Sequence, residues 1–150
     1  MISPGLLSRQ GHRLMQLGVV LLLATSFEGF AIPHMASPML GRSVHALAAL
    51  STVLLIALGL MWPRLELGAA ASRTAFWLLI YSDLAIISAY FLAALWGAGN
   101  SIIPLAAGNS HGSETQEMIL RIVGYSSGPT GIISFALVLW GLRGKPAPSQ

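Results

Sequence analysis

Apolar positions dominate this chain in four long stretches separated by short polar or proline-containing segments. Leu14 to Phe27, His45 to Pro63, Leu84 to Ser113 and Ile122 to Leu142 each lack Asp, Glu, Lys and Arg. A bilayer core about 30 Å thick is crossed by roughly 20 mostly apolar helical residues. The pattern therefore predicts four membrane crossings, at about 14–32, 43–62, 75–96 and 118–142. Pro33 and Pro63 close the first two, because proline has no backbone N–H to continue a helix. Phe76, Trp77, Trp96 and Trp140 lie at span ends, where amphipathic rings settle at headgroup depth. The predicted fold class is all-α, a four-transmembrane-helix bundle, with residues 1–150 as a single membrane domain.

Composition sharpens this picture. Of the 150 residues, 55% are hydrophobic and only 9% charged, against about 25% charged in a soluble domain. A net charge of +3 raises the question of nucleic acid, but the basic residues are scattered singly at helix ends and form no patch, so no nucleic-acid partner is expected. They act instead as topology signals. Arg9, Arg13, Arg64, Arg73, Arg143 and Lys145 fall on one side, and Arg42 and Arg121 on the other. The bias predicts cytoplasmic N- and C-termini and a multi-pass protein of a bacterial-type inner membrane. Arg9 and Arg13 ahead of an apolar run resemble a signal peptide, but the run from Leu14 is long enough to cross and is read as a retained first helix.

Two further segments invite structural expectations. The third loop, Gly97 to Glu117, is long for a bundle and apolar over Ile102 to Ala107, so it reads either as a connector or as a lid folded back over a site. Gly112-Ser113 ahead of Glu117 reads as the approach to a helix N-terminus. In the fourth span, Gly124 and Gly128 have the spacing that lets membrane helices approach closely, and Pro129 predicts a kink.

The chemistry must come from the few polar groups at membrane depth. Ionisable residues there cost about 2.5 to 3.5 kcal/mol on insertion scales and usually face a partner or a cavity. Glu28, His45 and Arg121 fall in the outer half on the predicted topology, and Tyr90 stands near them. Glu28 and Arg121 read either as an ion pair bracing two helices or as a substrate or proton contact. Asp83 and Tyr90 are seven residues apart, on one face of the third helix and about 10.5 Å apart along its axis; Asp83 either bonds a neighbouring Ser or Tyr or acts catalytically. The chain has no cysteine, so any iron must be held by His or oxygen. His45 reads either as an interfacial residue bonded to a carbonyl or headgroup, or as a single axial haem ligand that leaves the opposite iron position open.

Six blocks carry a family resemblance: Pro38-Met-Leu-Gly-Arg-Ser-Val-His45, Phe76-Trp-Leu-Leu-Ile-Tyr81, Leu92-Ala-Ala-Leu-Trp-Gly-Ala-Gly99, Pro104-Leu-Ala-Ala-Gly108, Gly112-Ser-Glu-Thr-Gln-Glu117 and Leu137-Val-Leu-Trp-Gly-Leu-Arg143. Together, over about Gly11 to Arg143, they resemble the hydroxylaminobenzene mutases and, more distantly, the styrene oxide isomerases, both small four-helix membrane isomerases. The resemblance implies a homotrimer that binds haem b, with His45 as the cofactor-binding and metal ligand. Ferric iron would then act as a Lewis acid on a small aromatic substrate, turning an aryl hydroxylamine into an aminophenol or an aryl epoxide into an aldehyde. It also implies Tyr90 as the residue orienting substrate, with Asp83 or Glu28 tuning the local charge and Ser51 at the site. At positions 51 and 86 the family pattern carries Asn, whereas this chain has Ser51 and Ile86. Ser51 can donate one hydrogen bond and Ile86 none. Two other readings of the same residues are a haem protein that senses or carries electrons, and a small proton-coupled exporter working through Glu28.

Overall fold

The computed structural model describes residues 4–143; Lys145, counted above as a topology signal, lies outside them. Four long helices account for most of the chain: α1 (Pro4–Ala31), α2 (Pro38–Met61), α3 (Ala69–Trp96) and α5 (Glu114–Gly141), with a single short turn, α4 (Pro104–Ala107), in the loop before α5. All four long helices are long and apolar enough to cross a membrane. Each begins earlier than the hydropathy pattern suggested, since helix continues into the amphipathic flanks once tertiary packing supports them. Pro33 and Pro63 do not end the helices directly; each sits in a 3₁₀ turn just beyond, Ile32–His34 and Trp62–Arg64.

The helices form a row rather than a closed bundle. α1 packs along α2, α2 along α3, and α3 along α5, while α1 meets α3 only sparingly and α5 scarcely touches α1 or α2. Small residues set the seams. A Cβ added to Gly11 would come within 2.5 Å of the Gly59 carbonyl oxygen, so α1 and α2 cross backbone to backbone. In α5 the tight approach is at Gly131, where a Cβ would meet Ser82 Oγ at 2.6 Å. Gly128, expected at a close contact, has open space around it, whereas Gly124 is near Ile102. α5 runs unbroken past Pro129, and the Thr130 hydroxyl bonds the Ser126 carbonyl at 2.9 Å.

Chain direction alternates, so the start of α1 and the end of α5 share one end of the molecule. There Leu7, Trp62, Leu65, Phe76 and Val138 form a buried cluster, and Glu66 N–H donates to the Gly141 carbonyl at 2.8 Å. Buried Gln10 ties this end together: its side-chain oxygen accepts from Trp62 Nε1 at 3.1 Å and from the Ser72 hydroxyl.

The opposite end is closed by the 97–113 loop. Its Ile102, Ile103, Ala106 and Ala107 pack with Met35, Leu40, Ala93, Ala94 and Leu120. Glu117 knots it to α5: its carboxylate accepts from Gly99 N–H at 2.8 Å, Ser101 N–H at 3.1 Å, Ser101 Oγ at 2.6 Å and Gly112 N–H at 3.2 Å. The N-cap of α5 is a capping box of Ser113 with Gln116, which leaves Glu117 free for the loop. The sequence pattern placed a helix start here but not the knot, because nothing in the spacing says that one carboxylate would turn back across three backbone donors. Replacing Glu117 with Ala should release the loop: limited proteolysis between Gly97 and Ser113 and amide exchange at Gly99, Ser101 and Gly112 should both accelerate, with α1 and α2 protected as before. Unchanged exchange at those amides would refute the knot.

Candidate functional site

The row of helices leaves a trough between α1 and α3, floored by α2. Its larger cavity, about 380 Å³, is lined by Leu21, Ala24, Thr25, Phe27, Glu28, Ala31, Val44, Ala48, Ile87 and Phe91. A second, about 210 Å³, shares Leu21 and Ala24 with the first and continues to Leu55, Ile80, Leu84 and Asp83. Thr25 spends its hydroxyl on the Leu21 carbonyl at 2.7 Å, as helical threonines commonly do. The walls are therefore hydrocarbon apart from one carboxyl group in each cavity.

In the first, Glu28 is the polar group. Its Oε2 lies 2.8 Å from His45 Nδ1, so the carboxylate accepts from that ring nitrogen while the ring's other nitrogen, Nε2, makes no hydrogen bond among the described residues. The Glu28 side chain is 12% exposed and the His45 ring 42%. Gly29 makes room for the ring: a Cβ there would stand 3.2 Å from His45 Cε1. Oε1 of Glu28 is buried with no partner. Helical geometry explains the meeting. Antiparallel α1 and α2 are joined by a short turn, so residues late in one lie beside residues early in the other.

This overturns the pairing of Glu28 with Arg121. Arg121 is exposed on α5, which scarcely touches α1, and the partner of Glu28 is His45. The reading of His45 as bonded to a carbonyl or headgroup gives way to the same contact.

In the second cavity, Asp83 is buried at mid-helix in α3, and Ser51, buried on α2, lies beside it. Oδ2 of Asp83 has no partner. Two of the residues singled out from sequence thus lie together. Ile86 and Tyr90 behave differently. Both are half-buried, and the α3 residues that line the larger cavity are Ile87 and Phe91. A one-residue step turns a helix by about 100°, which takes Tyr90 out of this wall. Tyr90 lines neither of the two cavities. No residue of the 97–113 loop lines either cavity, so the loop plugs one end of the molecule and is not a lid over the trough. Thr25 and Gly29 were missed by the sequence reading; Gly29 had a signal, a glycine directly beside a membrane carboxylate.

As a donor set, the pair fits a haem. A single imidazole is too few ligands for a bare ion but enough for iron already held by four ring nitrogens. Metal-bound histidines almost always hold their second nitrogen on a carboxylate or carbonyl, the arrangement Glu28 provides, and Nε2 is left free.

The sequence profile of the styrene oxide isomerase family matches residues 10–143. Two proteins of Ectopseudomonas oleovorans are similar to this chain. The hydroxylaminobenzene mutase HabB is 42% identical over 136 residues, covering 91% of this chain and 83% of the relative. The hydroxylaminobenzene mutase HabA is 35% identical over 125 residues, covering 83% and 93%. No solved structure matches.

Asp83→Asn tests the role of the second cavity's acid in folding. An unpartnered buried oxygen costs about 1 to 3 kcal/mol, and the near-isosteric amide keeps an acceptor for Ser51. The variant should fold and melt no lower than the parent in a thermal scan in detergent. A clear fall in melting temperature would show that the carboxyl is there to stabilise the fold.

Proposed function

The chain belongs to the styrene oxide isomerase family and is an isomerase-type enzyme, and from that premise we propose that it rearranges a small aryl hydroxylamine to an aminophenol on a haem b held by His45. The observation that carries this is the Glu28–His45 pair beside an apolar cavity of about 380 Å³. The choice of a hydroxylamine over an aryl epoxide follows the two mutases, which are similar over most of their length. Family membership sets aside the exporter and electron-carrier readings.

The reaction is an isomerisation: the N–O bond breaks, a C–O bond forms at the ortho carbon, and the displaced ring proton ends on nitrogen, with no electrons entering or leaving. Ferric haem, when bound, supplies a Lewis acid that draws charge from the substrate heteroatom and weakens that bond. The protein's own residues do the rest. His45 would offer Nε2 to the iron, with Glu28 holding Nδ1. Leu21, Ala24, Val44, Ile87 and Phe91 keep water from the electron-poor ring that develops as N–O cleavage proceeds, since water would trap it. Asp83, beside Ser51, lies in the adjoining cavity with Oδ2 free to accept a hydrogen bond from the substrate N–H. This hydrogen bond is open to a hydroxylamine and not to an epoxide, which has no donor.

By the positive-inside bias, the end carrying both helix termini is cytoplasmic and the Glu28–His45 end faces outward, in a bacterial-type inner membrane. The assembly is read as a homotrimer in which a neighbouring copy covers the half-exposed His45 ring.

Protein purified in detergent after growth with ample haem precursor should show a Soret band and convert phenylhydroxylamine to 2-aminophenol without reductant. His45→Ala should lose both the band and at least 100-fold in turnover, on the order of the loss seen when a principal electrostatic group is removed. A colourless parent protein that still turns over would refute the haem reading. Asp83→Asn should cut turnover of phenylhydroxylamine by about tenfold or more, the scale of one lost charged hydrogen bond; full activity would exclude the proposed contact.

A further inference from the structure

The Glu28 carboxylate is poorly compensated by the protein that surrounds it. One oxygen meets His45 Nδ1 at 2.8 Å, the other is buried without a partner, and among the described residues no Arg or Lys pairs with either. Anions at membrane depth are expensive unless a positive charge lies close by. Asp83, the other carboxyl of the trough, lines the second cavity beside Ser51. A neutral imidazole offers Glu28 one hydrogen bond and no charge. An imidazole whose Nε2 is bound to ferric iron offers both, because the metal withdraws electron density through the ring.

We propose that Glu28 is the positioning residue for His45: it fixes the Nδ1–H tautomer, leaves Nε2 as the free ring nitrogen, and by its negative charge biases bound iron towards the ferric state. The inference rests on the haem reading above and adds to it the reason why the metal stays a Lewis acid and does not become an electron carrier. A carboxylate behind an axial imidazole raises the ligand's basicity, and second-shell hydrogen bonding is one of the levers by which a protein sets haem potential. The scaffold is suited to holding this geometry. The α1–α2 seam is fixed by the Gly11–Gly59 crossing, and Gly29 lets the His45 ring lie close against α1, so the carboxylate and ring cannot drift apart by helix sliding.

The test uses the purified full-length protein, Glu28→Gln and Glu28→Leu, each loaded with hemin, with hemin affinity read from the Soret band and the midpoint potential from spectroelectrochemistry. Gln is nearly isosteric and still accepts from Nδ1–H, so this variant should keep its haem while its midpoint moves to more positive potential. Leu removes the acceptor: hemin should bind about 10- to 100-fold more weakly and the midpoint should move further in the same direction. A merely structural brace would alter melting temperature but not the potential of the Gln variant. If both variants keep the parent's affinity and midpoint, Glu28 has no hold on the metal and the inference is overturned while the haem reading stands. If the parent shows no Soret band dependent on His45, the haem reading falls and this inference with it.

Discussion

A carboxylate set within a membrane helix must be answered by some other group, and in this protein the answer to Glu28 is His45. That contact joins the end of α1 to the beginning of α2 and puts the pair beside the larger apolar cavity. It also leaves two atoms with unused capacity, Oε1 of the acid and Nε2 of the ring. Among the described residues neither atom has a hydrogen-bond partner.

The trough exists because the helices stand in a row. Had α5 closed against α1, the space between α1 and α3 would be filled by side chains, as in an ordinary bundle core. Instead α5 pairs with α3 alone, through Gly131 against Ser82 and through the Ser134 hydroxyl, which donates to the Ala75 carbonyl at 2.8 Å. The two ends are fastened independently, one by Gln10 between Trp62 and Ser72, the other by Glu117 across its loop. The ends are thereby fixed while the flank of the trough stays open.

The two acids of the trough differ in their surroundings. Glu28 engages a ring nitrogen of His45 through one oxygen and leaves the other without a partner. Asp83 lies beside Ser51 with Oδ2 likewise unpartnered.

Membrane solvent made much of this protein legible from sequence. Lipid accepts no unpaired backbone, so four uncharged runs predicted four helices, and the scarcity of polar groups singled out Glu28, His45, Asp83 and Arg121 from the sequence alone. Which of them meet was another matter. Depth can be estimated along one axis from sequence, but Glu28, His45 and Arg121 share a depth, and only helix adjacency separates them: α1 lies on α2, and α5 is out of reach. Tyr90 differs from Phe91 by a single step of helical rotation, and the rotation of α3 about its axis is set by packing such as Gly131 against Ser82, not by composition. The loop shows the same division, since its apolar Ile102 to Ala107 stretch announced that it would fold back, while the Glu117 knot and the end it seals emerged only when the backbone donors of Gly99, Ser101 and Gly112 converged in space.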